Sequence, residues 1–171
     1  MAIVLCDGPT SPPSARSNIY LPIISSPDPV AEFSRLLVAD PRQQRPSLER
    51  CPALQQAAVW RAWGLANGQP WSHIDRDGTW PNKRARLAGC QLPSDYSDDC
   101  NYVESLVAGT ADPYTAFGAL ALSPHHKVHL FGENGFFQQQ RHFGVAMCAG
   151  GEWGWYWCVL IATCEEQSSG E

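Results

Sequence analysis

Between Pro29 and Pro41 the apolar positions Val30, Phe33, Leu36 and Leu37 recur at helical spacing, which predicts a first helix. A longer stripe follows Cys51-Pro52, where Leu54, Ala57, Ala58, Ala62 and Leu65 line one face of a helix that should end near Asn67-Gly68. Trp60 and Trp63 in that helix are expected to anchor the core. Trp71 to Gly78 is a polar loop with a turn at Asp77-Gly78, and a short helix is expected from Asn82 to Ala88, closed by Gly89. Tyr102 to Ala108 is a short apolar stretch interrupted by one acid, Glu104. Asp112-Pro113 and Ser123-Pro124 each set a capping side chain ahead of a first-turn proline, so two helices should start there in succession.

The pattern then changes. Phe143 to Cys148 and Trp153 to Ala162 are rich in aromatic and β-branched residues around a glycine turn, and read as an antiparallel hairpin. Trp153, Trp155 and Trp157 alternate onto one sheet face, expected to lie under helices rather than in solvent. Helices first and strands late, without βαβ alternation, indicate an α+β domain with a small, mainly antiparallel sheet covered by helices. The domain is expected over residues 29–164, after a Pro/Ser-rich tail or linker (1–28) in which Ile19 to Ile24 could dock as an edge strand, and before a short polar tail (165–171).

Composition narrows the role. The 171 residues suffice for one sizeable core, and 12 Lys and Arg against 17 Asp and Glu give a net charge of −5 with no basic cluster, which disfavours a nucleic-acid partner. No apolar run is long enough to span a bilayer, so the chain is not expected to be transmembrane. Seven scattered cysteines point to an oxidising, extracellular setting. Local bridges are expected between Cys148 and Cys158 across the hairpin and between Cys90 and Cys100 around a polar loop, with the partners of Cys51 and Cys164 left open. Buried or bridged cysteine outweighs a thiol nucleophile, since no base stands beside any cysteine in sequence. A secretion signal is not visible, because Met1 to Cys6 is shorter than a signal core and Leu5 makes a poor lipobox.

Four elements, in order, carry a family resemblance. Ser72-His73, Asp75, Asp77-Gly78, Pro81, Arg84 and Arg86 to Gly89 resemble the bacterial CAP-domain stretch with its S-H, D-G, P, R and A-G spacing. Val103 to Gly109 resembles that family's G-E-N-I-A-x-G, Ser123 to Lys127 its S-P-G-H-R, and Phe143 to Val145 with Trp155 to Trp157 its closing F-G-V and Y-W strands. The chain departs from the pattern at Ser105 (for Asn), His125 (for Gly) and Lys127 (for Arg), and the Arg84 region stands where many eukaryotic relatives carry a second cleft glutamate. The resemblance to this superfamily of cysteine-rich secretory proteins, antigen 5 and pathogenesis-related 1 proteins implies an α-β-α sandwich. It also implies a polar cleft formed by His73, Glu104 and His126.

Two imidazoles and a carboxylate suit a divalent ion such as zinc, with His73 and His126 as ligands. In the alternative chemistry, the acid simply orients one histidine. His129 follows His126 by one helical turn, as a further ligand or, with more weight, as a packing or capping residue. His142 receives no role, and Asp75 and Asp77 are read as turn residues. The leading function is a secreted binding module engaging an extracellular peptide, lipid or envelope component. Its rivals are a metal-assisted hydrolase or peptidase with Glu104 as general base, and a structural subunit that self-associates through its tail or Cys6.

Overall fold

The computed structural model describes residues 28–165; the tail, with its candidate edge strand, lipobox and Cys6, lies outside them. Helix α1 (Pro29–Ala39) is started by Asp28, whose carboxylate accepts the Val30 N–H at 3.0 Å. Strand β1 (Glu49–Arg50) runs into α2 (Pro52–Ala66), and α3 (Pro81–Leu87) follows the polar loop. Strand β2 (Glu104–Ala108) leads to α4 (Pro113–Leu122), α5 (Pro124–Phe131) and a single turn, α6 (Gly135–Gln138). The hairpin β3 (His142–Gly150) and β4 (Gly154–Ala162) ends the domain. Pro stands in the first turn of α1 to α5, where its missing N–H costs nothing.

The four strands lie in the order β1-β3-β4-β2. The two pairings of the hairpin and β2 are antiparallel, while the short β1 runs parallel to β3, so the sheet is mixed. Strand β4 is central and feeds both faces. Tyr156, Cys158, Leu160 and Ala162 pack with Leu54, Ala58 and Leu65 of α2 and Ala85 of α3. Trp157, Val159 and Ile161 pack on the other side with Phe33 and Leu37 of α1, Phe117 and Leu120 of α4 and Leu130 of α5. A strand buried on both faces must be apolar at every position, which is why Tyr156 to Ala162 reads as an unbroken run. The result is a three-layer α-β-α sandwich.

Helix α2 lies close on β3. A Cβ at Gly144 would come within 2.3 Å of the Leu54 backbone, so only glycine fits there. Gln55 exploits the approach: its side chain donates to the Val145 carbonyl at 2.8 Å and accepts the Val145 N–H at 3.3 Å.

Three expectations need correction. Trp60 and Trp63 are 45% and 52% exposed, because they flank the apolar stripe rather than continue it; its buried positions include Arg61 instead. Trp153 falls in the hairpin turn, 40% exposed against Trp71, so of the three alternating indoles only Trp157 is fully buried. The disulfide is Cys90–Cys164, with Cα atoms 5.0 Å apart, in place of the expected local bridges. Cys148 registers with Tyr156 and Cys158 with Ala146, a diagonal too wide for a bridge. Cys90 is carried to Cys164 by an isolated antiparallel bridge between Gln91 and Glu165.

Candidate functional site

Glu104 opens the edge strand β2 on the face covered by α2 and α3, opposite Leu160 in register. Asn101 sets its backbone, accepting the Glu104 N–H at 2.9 Å and donating to its carbonyl at 3.1 Å. The Glu104 side chain has no solvent exposure. One oxygen, Oε1, is 2.9 Å from His73 Nδ1; the other, Oε2, accepts from Arg84 Nη1 at 2.6 Å and from the Cys158 thiol at 3.6 Å. Arg61 Nε stands 4.0 Å from Oε1.

The network extends through a second acid. Arg84 also grips Asp75 Oδ2 with Nε at 3.0 Å and Nη2 at 2.7 Å, while Arg61 pairs with Asp75 Oδ1 and donates to the Ser72 carbonyl. Two guanidiniums thus face two carboxylates inside the layer, and the polar loop carrying Ser72, His73 and Asp75 is tied to α2, α3 and β2 at once. Burial alone would lower Arg84, but the charges of Glu104 and Asp75 outweigh it and hold the guanidinium above its ordinary value. Asp75 is more than a turn residue. Arg61 was missed by sequence reading; its place within the buried stripe of α2 was the available signal.

Since a carboxylate only accepts, His73 offers Glu104 its Nδ1–H, which leaves Nε2 as the unprotonated nitrogen; the side chain is 38% exposed. His126 lies on α5, in the opposite helical layer, with Nδ1 2.8 Å from Ser123 Oγ. Ser123 N-caps α5 by its backbone and spends its hydroxyl on His126. Burial, then the charges of His73 and His125, lower the His126 pKa. The His73 charge thus reaches His126, although the two are carried by opposite helical layers.

His129 feels both charges too, but spends its ring nitrogens inside the core. It is buried, and its Nε2 must donate to the Ile161 carbonyl at 3.3 Å, so Nδ1 accepts the Ser105 hydroxyl at 2.8 Å. Burial, with the charge of Arg45 adding, pushes its pKa down to about 3. Ser105, the residue that departs from the family's Asn, thereby acquires a structural partner.

The donor set does not fit a zinc centre. Both oxygens of Glu104 and both nitrogens of His129 are engaged, leaving Nε2 of His73 and of His126, one short of the three protein ligands of catalytic zinc. Among the described residues no group of three His, Cys, Asp or Glu is arranged to hold a metal ion. Cys158, which could have suggested a nucleophile, is a donor: burial first, and Glu104 next, push its thiol pKa well up. Beside the Arg84–Asp75 pair lies a hollow of about 310 Å³ flanked by Trp60, Trp63 and Leu87.

Comparison with known proteins places this geometry in a fold class. No protein-family profile matches the chain, and no curated protein matches it in sequence. Solved structures do. An outer surface protein from Borrelia burgdorferi superposes with a TM-score of 0.59 at 20% identity, over 79% of this chain and 91% of that one. An extracellular SCP-domain protein from Bacillus anthracis superposes with a TM-score of 0.58 at 17% identity, over 79% of this chain and 40% of that one. The domain has a CAP/SCP-like fold. No helix among the described residues is long and apolar enough to cross a membrane.

Proposed function

We propose that this domain is an extracellular CAP-like binding module, in which Glu104 positions His73 and the Nε2 atoms of His73 and His126 present a polar edge to a peptide or envelope component. The observation that carries this reading is the state of Glu104. A general base needs a free oxygen within reach of substrate, and here Oε1 is held by His73 and Oε2 by Arg84, both away from solvent. The two similar solved proteins, one an outer surface protein and the other extracellular, support the location. The seven cysteines and the Cys90–Cys164 bridge agree with it.

The test is assay of the purified chain for hydrolysis of casein and generic esters, with zinc measured by elemental analysis. The expected result is no turnover above buffer and zinc no higher in wild type than in His73→Ala or His126→Ala. Stoichiometric zinc lost from both variants, together with hydrolysis that needs the zinc and is abolished by Glu104→Gln in a folded protein, would establish the metal-assisted hydrolase instead.

A further inference from the structure

The disulfide has a third sulfur beside it. Cys51, half-buried at the N-terminus of α2, has its Sγ 3.4 Å from Sγ of Cys164, which is already bonded to Cys90. That is about van der Waals contact between sulfurs, the separation from which exchange proceeds. The Cys164 backbone is held in place on both sides: its N–H donates to His142 Nδ1 at 2.9 Å, and the next N–H, of Glu165, donates to the Gln91 carbonyl at 2.9 Å. Cys51 is equally fixed, its N–H donating to the Phe143 carbonyl at 2.9 Å. Cys164 Sγ is therefore bonded to one cysteine and in contact with another.

We propose that Cys51, Cys90 and Cys164 form a thiol–disulfide exchange triad through which the domain interconverts two internal cross-links. The Cys51 thiolate attacks Sγ of Cys164. A Cys51–Cys164 bond forms as the Cys90–Cys164 bond breaks, the bonding pair leaves on Cys90 Sγ, and Cys90 takes up the proton that Cys51 gave up. One disulfide and one thiol stand on each side, so neither oxidant nor reductant is consumed. The loops closed span 74 residues for Cys90–Cys164 and 113 for Cys51–Cys164. Loop entropy grows only as the logarithm of length, so it scarcely distinguishes the two isomers. Local solvation does: Cys51 reaches solvent, whereas Cys90 is 1% exposed, so the leaving thiolate is buried and the Cys90–Cys164 isomer predominates.

The exchange moves the tether of the segment after β4 from the end of α3 to the start of α2. It also exchanges a solvent-reachable thiol for a hidden one, so the reactivity of Cys51 toward external thiols reports the state of the cross-link.

Acid quenching, denaturation, alkylation and non-reducing peptide mapping would test this on the full chain, incubated at about pH 8, where free thiols begin to ionise. The expected result in wild type is a major population labelled at Cys51 and a minor one labelled at Cys90, the Cys90 label being lost in Cys51→Ser. In Cys90→Ser, where no disulfide remains to exchange, added oxidised glutathione should close a Cys51–Cys164 cross-link in full. Wild type labelled at Cys51 with no Cys90 label, or a folded Cys90→Ser protein retaining both Cys51 and Cys164 as thiols, would overturn the proposal. Should Cys90→Ser not fold, the wild-type and Cys51→Ser maps decide alone.

Discussion

On the α1/α4/α5 face of the sheet the contacts are mostly carbon on carbon, with Phe33 stacked on Trp157 at 5.2 Å and meeting Phe117 edge-on at 5.5 Å. On the α2/α3 face, an otherwise apolar layer of Leu54, Ala58, Leu65 and Leu160 is threaded by Arg61, Asp75, Arg84 and Glu104. The first arrangement rests on shape and area, to which many side chains are equivalent. The second rests on pairing: its net stabilisation is small, because desolvation offsets attraction, yet losing one member strands its partner. What the charged face gains is position, since Arg84 and Glu104 fix the loop that bears His73.

The largest test of that contrast is Arg84→Met, which keeps volume and deletes charge. It takes the guanidinium from Oε2 of Glu104 and Oδ2 of Asp75, both in the buried layer, and should cost about 3–5 kcal/mol in denaturant unfolding. Next comes a polar group inside the apolar half. Unfolded His129 binds a proton near its ordinary pKa of 6.5, whereas the folded one does so only at about 3. Protons therefore favour the unfolded chain throughout that window, and stability present above pH 6.5 is lost as pH falls through it. The loss should reach about 3 kcal/mol by pH 4, and stability measured against pH should be flatter for His129→Asn over the same range. A volume-conserving change on the α1 face, Leu37→Met, should cost under about 1.5 kcal/mol. Smallest is Trp60→Gln, expected to stay within about 0.5 kcal/mol because the indole flanks the core. If Leu37→Met cost as much as Arg84→Met, the contrast between the faces would fail.

The helices and the hairpin were legible because their signals are local: first-turn prolines, the α2 stripe and the apolar run of β4. The motif order likewise placed His73 and Glu104 in one region, and the hydrogen bond between them is seen. What was not legible depends on partners far along the chain. Arg61 falls on the buried stripe, but Asp75 and the carbonyls of the polar loop make an arginine tolerable there, whereas Trp60 and Trp63 are apolar by composition and outward by angle. Cys90 finds Cys164 through a β-bridge that no spacing announces. Glu104 reads as a candidate base until Arg84 is seen on its second oxygen. Short β1 and one-turn α6 carry too few residues for a periodic signal.

The strand order has a consequence for how the chain is made. Strands β1 and β2 pair only with β3 and β4 among the described strands, and that hairpin is the last part of the domain to be synthesised. Before β3 and β4 are made no two strands can pair, and the sheet that the helical layers cover is complete only at residue 162. The two ends of the domain must therefore meet before its core can close, which puts most of its long-range contacts last in synthesis.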